Sequence, residues 1–115
     1  MAAAFVAGLA ACASENEEQL FPPPPANSCG EDTATYANTI APLFQRHCLS
    51  CHGEQFPSGD ISLHTHALVK QYADNGKLWP ALNYTGPYPM PPISKLPACD
   101  LARVRAWIDR GAPND

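Results

Sequence analysis

The chain has little charge, and positive charge is the scarcer sign. Of its 115 residues 16% are charged, seven Lys and Arg stand against eleven Asp and Glu, and the formal charge is −4. The basic residues are scattered, whereas binding a phosphate backbone needs them clustered, so nucleic acid is excluded as a partner. The apolar stretch at the amino terminus gives out at Cys12, well short of the about 20 residues that cross a bilayer. Beyond the initiator, methionine occurs once, at Met90. No grouping of general acid, base and nucleophile emerges, so an enzyme is not expected. With 13 prolines and room for one domain, much of the chain is loop around a small core.

Against these absences stands Cys48-Leu49-Ser50-Cys51-His52. Two cysteines separated by two residues and followed at once by histidine is the attachment signature of a c-type haem. The spacing follows from the chemistry. Cys48 and Cys51, about one helical turn apart, can each form a thioether to a haem vinyl group, and His52 is then placed to bind iron as the proximal ligand. Two other readings compete. A zinc ribbon needs a second close pair of ligands, and Cys12, Cys29 and Cys99 stand far apart. A thioredoxin-like CxxC needs a strand-helix setting, whereas Gly- and Pro-containing sequence follows. A covalently held macrocycle would also supply apolar interior that so small a domain lacks.

Residues 1–11 read as the apolar region of an export signal, and Leu9-Ala10-Ala11-Cys12 resembles the lipobox of bacterial lipoproteins, in which the cysteine is lipidated. No Lys or Arg precedes the apolar run, a departure from that pattern. The competing reading is an ordinary signal peptide. Residues 12–28 are acidic and then proline-rich, with Glu15, Glu17 and Glu18 ahead of Pro22-Pro23-Pro24-Pro25. Such a run buries too little to fold and reads as a tether, its prolines a polyproline rod of roughly 12 Å.

The folded domain is expected over 29–115 and is all-α. The spacing of Tyr36, Ile40, Leu43, Phe44 and Cys48 predicts a first helix over 33–49, regular from Asn38 or Thr39 because Pro42 is tolerated only in a first turn. It delivers Cys48, Cys51 and His52 at its carboxyl end. A second helix is expected over 65–73 with Gly76 as its stop, a short turn over 77–82, and a last helix over 98–110 with Leu101, Val104, Trp107 and Ile108 on one face. Asp100 and Arg110 at its two ends suit the helix dipole. Between them, Tyr84-Thr85-Gly86-Pro87-Tyr88-Pro89-Met90-Pro91-Pro92 is an extended loop of fixed shape. Met90 is the natural sixth iron ligand, opposite His52, and Met/His ligation raises the reduction potential.

Five cysteines leave an odd one. Lipidation of Cys12 and thioethers at Cys48 and Cys51 account for three, and Cys29 and Cys99 would pair in an oxidising compartment.

Residues 29–114 resemble the small monohaem cytochrome c domains of bacterial cell-envelope lipoproteins, of the Bacteroidetes and planctomycete kind. The resemblance rests on Tyr36 to Leu43 leading to Cys48-Leu49-Ser50-Cys51-His52-Gly53, on Met90-Pro91-Pro92, and on Trp107-Ile108-Asp109-Arg110-Gly111-Ala112-Pro113. It implies a cytochrome c fold, haem held through Cys48, Cys51 and His52, and Met90 as distal ligand. Some members carry a cysteine pair where Cys29 and Cys99 stand.

The expected function is a membrane-tethered carrier of single electrons between redox proteins of a respiratory or dehydrogenase chain. It would work free or as a subunit of a larger complex, in the bacterial cell envelope, anchored to the inner or outer membrane. The rivals are bis-histidine ligation by His64 or His66, and a peroxidase-like or gas-binding haem with an open sixth site.

Overall fold

The computed structural model describes Ala3, Ala4, Gly8 and residues 29–115. The expected export signal apart from those three residues, the expected lipidation site Cys12 and the tether over 12–28 lie outside the described residues. Among the described residues the fold is all-α, without a strand. A 3-10 turn at Glu31–Thr33 leads to a π-helical turn at Tyr36–Ile40, which runs into α1 (Ala41–His47) and then α2 (Leu49–His52). A second 3-10 turn at Ser58–Asp60 precedes α3 (His66–Asp74), α4 (Leu78–Leu82) and α5 (Ala98–Asp109).

The single first helix expected over 33–49 is instead three pieces, and two local causes explain the breaks. Thr35 caps the start, its hydroxyl accepting from the Asn38 N–H at 3.1 Å. Ile40 donates to the Thr35 carbonyl at 3.0 Å and Ala41 to that of Tyr36, both five residues back. Pro42 has no N–H to give, and in a tight α-turn its ring would strike the carbonyl four residues back. The wider π-turn makes that room and leaves Pro42 in the first turn of α1. The second break is at Cys48, whose φ of −124° leaves the α region. The hydrogen bonds nonetheless continue across it, from Cys48 N–H to Phe44 at 2.8 Å and from His52 N–H to Cys48 at 2.9 Å.

The later helices fall within a residue of expectation. Thr65 caps α3 by accepting from the Leu68 N–H, and Gly76, at φ +76°, ends it in a conformation that favours glycine. Pro80 sits inside the first turn of α4, where its missing N–H costs nothing. Arg110, expected in the last turn of α5, is its cap. Its guanidinium donates to the carbonyls of Glu31 and Ala34, so it ties the chain entry to the end of α5.

The core gathers where α5 crosses the first helical stretch. Leu101, Val104 and Trp107 are buried with Ile40, Leu43 and Phe44. Trp107 is fully enclosed, its ring 5.8 Å from that of Tyr36 and 6.1 Å from the His66 imidazole. Its Nε1–H donates to the Pro113 carbonyl at 2.9 Å, so the one polar atom of the largest buried side chain is satisfied. Trp107 is therefore a packing residue set against the first helical stretch.

Cys29 and Cys99 form a disulfide across 70 residues, with their Cα atoms 5.1 Å apart. It joins the entry of the domain to the first turn of α5. Constraining so long a loop is worth roughly 4 kcal/mol on the loop-entropy account. Replacing both cysteines by Ala is expected to lower the free energy of unfolding by about that amount, measured by urea denaturation of the matured protein.

Candidate functional site

The motif Cys48-Leu49-Ser50-Cys51-His52 occupies the break at Cys48 and the single turn of α2. A helix of four residues has almost no stability of its own, so its position is set by what holds its end. That is a strap over 61–63. The Leu63 N–H donates to the His52 carbonyl at 2.8 Å, the Ser62 hydroxyl donates to the Gly53 carbonyl at 2.9 Å, and the His52 Nδ1 lies 2.8 Å from the Ile61 carbonyl oxygen. A carbonyl can only accept, so Nδ1 carries the proton and the lone pair is at Nε2. The imidazole is thus fixed in the tautomer that a metal-binding histidine needs, with a main-chain partner orienting the ring.

Gly53 closes the turn, and the motif alone gives no reason for it. A Cβ there would lie 2.8 Å from the Leu49 carbonyl oxygen, a backbone atom that cannot move aside cheaply. Only glycine allows the chain to leave α2 this closely and meet the strap. Gly53→Ala is expected to cost about 1–3 kcal/mol, the range for overpacking a tight site, and to loosen His52. Thermal denaturation and the His52 ring NMR resonances check it.

Cys48 and Cys51 are free thiols, Cys48 buried and Cys51 exposed. Burial, with Cys51 adding a smaller charge effect, pushes the Cys48 thiol from an ordinary 9.0 up to about 11. A redox-active CxxC depends on the opposite shift, so this cysteine is not built as a nucleophile. Among the described residues no three His, Cys, Asp or Glu side chains come together as a metal cluster. A two-unit rise leaves about a hundredfold less thiolate, partly offset by its greater intrinsic reactivity. In haem-free Cys51→Ser protein at pH 8, Cys48 is expected to be alkylated by iodoacetamide at least about tenfold more slowly than a free cysteine, read by mass spectrometry.

Met90 lies in the expected irregular loop after α4, half-buried, with its N–H donating to the Ala81 carbonyl at 2.9 Å. The Tyr84 hydroxyl donates to the Pro91 carbonyl and braces the same loop. Beyond Met90 the chain faces the motif across a cleft of about 480 Å³, lined by Arg46, His47, Ser50 and Cys51 on one side and by Pro91 to Pro97 on the other. Cys51 is in this lining, while His52 and Met90 are not.

Of the two rival histidine ligands, His66 has its Nε2 committed elsewhere. His66 Nε2–H donates to the Ala112 carbonyl at 2.8 Å, and its ring stands edge-on to Tyr36 at 4.8 Å. His64 is exposed and hydrogen-bonded through Nδ1 to Ser62 at 2.6 Å. His66 is thus a packing residue, joining α3 to the chain beyond α5.

Three features fit the covalent haem that the motif implies. The cysteines of the motif are unpaired while Cys29 and Cys99 are bonded to each other. The His52 ring keeps Nε2 for a ligand. Lastly, among the described residues the large exposed apolar side chains, Phe56 and Ile93 almost wholly so and Tyr84 and Tyr88 less, lie in the loop after His52 or in the loops on either side of Met90. Apolar surface left exposed in those segments is what an apolar group lying against them would cover. No family model, curated protein or solved structure matches the chain.

Proposed function

We propose that the protein is a monohaem c-type cytochrome that carries single electrons between redox proteins. The observation that carries this reading is the Cys48-Leu49-Ser50-Cys51-His52 sequence with His52 Nδ1–H bonded to the Ile61 carbonyl, which reserves Nε2 for iron. Cys48 and Cys51 would hold the haem by thioethers, His52 would be the proximal ligand, and the Met90 thioether the distal one. When bound, the haem supplies one iron that alternates between ferrous and ferric states without transforming a substrate. The all-α fold is accordingly read as a cytochrome c fold wrapped around that group.

The chain's own residues do the positioning. The strap over 61–63 orients the His52 ring, Gly53 brings α2 close to the strap, and the Tyr84–Pro91 bond stiffens the loop that presents Met90. A weak, soft ligand needs that stiffness, because the bond to iron does not by itself hold the loop. Were His52 and Met90 both to bind the iron, no site would remain for dioxygen or peroxide, which favours a carrier over an enzyme.

The Cys29–Cys99 disulfide supports an oxidising compartment. Together with the signal-like residues 1–11 and the lipobox-like Leu9 to Cys12, it supports a place in the bacterial cell envelope, lipid-anchored through Cys12.

The test is an optical spectrum of the matured protein, oxidised and reduced, beside that of Met90→Ala. The wild type is expected to show the weak near-infrared band of ferric Met ligation, and the variant to lose it and bind carbon monoxide. A wild type that lacks the band and takes up carbon monoxide as readily as the variant overturns the carrier reading.

A further inference from the structure

The strap that orients His52 reaches one residue further than its bonds to the motif require. Its alternation, Ile61-Ser62-Leu63-His64, sends the two apolar side chains toward the core, Leu63 within it and Ile61 packed against it, and leaves the two polar ones to meet each other. Ser62 Oγ lies 2.9 Å from the Gly53 carbonyl oxygen and 2.6 Å from His64 Nδ1. A hydroxyl has one proton and a carbonyl can only accept, so that proton goes to Gly53. Both contacts are then hydrogen bonds in one arrangement alone, with His64 Nδ1 carrying a proton and donating it to the Ser62 oxygen. The bonds therefore run one way, from exposed His64 through half-buried Ser62 to the carbonyl of the residue after His52.

We propose that His64 is a positioning residue for His52, acting through Ser62 and Gly53. A serine hydroxyl with no donor behind it is free to turn. The bond from His64 occupies its lone pair and directs its proton onto Gly53, and bonds linked in this way polarise and strengthen one another. The Gly53 carbonyl is held between the two other ties of the strap, Leu63 N–H to the His52 carbonyl and His52 Nδ1–H to the Ile61 carbonyl. What steadies the middle tie steadies the main-chain oxygen that orients the His52 ring. The effect on iron rests on the haem reading: a firmer Nδ1–H bond makes Nε2 a more basic ligand, which favours the ferric state. His64 then serves the iron from a distance and not as a ligand.

The test, on the full-length matured protein, separates the two ends of the His64 ring. Asparagine places an amide N–H two bonds beyond Cβ, where Nδ1 stands, and glutamine places its own one bond further out. His64→Asn is therefore expected to keep the chain of bonds, and His64→Gln and His64→Ala to lose it. The first readout is hydrogen exchange of the Leu63 amide in the reduced protein, since that N–H closes the strap on His52. Loss of one ordinary hydrogen bond is expected to speed it about fivefold in the Gln and Ala variants and in Ser62→Ala, with the Asn variant at the wild-type rate. Ser62→Ala combined with His64→Ala is expected to exchange no faster than Ser62→Ala alone, because the two residues act in series. The second readout is the reduction potential. At the wild-type midpoint the Gln and Ala variants are expected to hold about twice the wild-type ratio of ferrous to ferric protein, and the Asn variant the wild-type ratio.

If Leu63 exchange is the same in every variant, or rises as much with Asn as with Gln, His64 does not donate through Nδ1 and the proposal is overturned. If exchange rises as expected while the potential stays in place, His64 steadies the strap without positioning the ligand, and the proposal is overturned again. Both results leave the carrier reading standing wherever the haem spectrum is present. If no covalent haem is found, the carrier reading falls and the effect on iron with it, while Leu63 exchange in the same variants still decides whether His64 holds the strap on His52.

Discussion

The structure depends on the hydrogen bond from His52 Nδ1–H to the Ile61 carbonyl. A histidine on a one-turn helix would otherwise turn freely about its side-chain bonds, and either ring nitrogen could carry the proton. One main-chain acceptor removes both freedoms. It also sets a demand on the chain, because the segment after α2 must turn back within nine residues and run alongside the motif. Gly53, the 3-10 turn at Ser58–Asp60 and the bonds made by Ser62 and Leu63 meet that demand. Gly59 and Asp60, both at positive φ, give the turn its sharpness.

The rest of the core supports this arrangement from behind. Trp107 is enclosed between the π-turn and α3, and His66 and Trp107 each donate to a carbonyl of the chain beyond α5, at Ala112 and Pro113. The Tyr36 N–H in turn donates to the Asp115 carboxylate at 2.7 Å. The last residues therefore return to cap the helical stretch that carries the motif. Arg110 and the Cys29–Cys99 disulfide fasten the entry of the domain to opposite ends of α5. The fixed frame is α5 and its attachments, and the motif hangs from it through Leu43, Phe44 and Cys48.

Much of this was legible in the sequence, and the parts that were not have definite causes. The apolar spacing of Leu101, Val104 and Trp107 and the stop at Gly76 are local signals, and local signals placed α3 and α5 within a residue. Cysteine parity gave the Cys29–Cys99 bond. The π-turn at Tyr36–Ile40 was missed because Pro42 announces only that something must yield, not which residue does. Ile61 as the partner of His52 was invisible in principle, since a backbone carbonyl has no side-chain signature. The role of Arg110 was misjudged for a related reason: its partners are main-chain oxygens about 76 to 79 residues away, and the helix dipole was the only nearby argument for its charge.

The chain divides its labour between regular and irregular backbone, and the division follows from where hydrogen bonds can be made. The helices around Trp107 satisfy their own backbone and bury their own apolar faces, so that half of the domain is complete in itself. The loops around Phe56 and Met90 carry the exposed apolar side chains, and they are held by a few bonds to fixed elements rather than by a ladder of their own. Thr85, Gly86 and Met90 all donate back to carbonyls of α4, at Pro80 and Ala81, which fixes the loop at its root and leaves its outer side chains uncommitted. A loop anchored in this way has its shape set by the frame and its surface left for another apolar body. That surface and the fixed imidazole are compatible with one and the same group: the exposed Phe56 and Ile93 bury little in this domain, and His52 bonds to the strap through Nδ1, so that the proposed haem would make use of both.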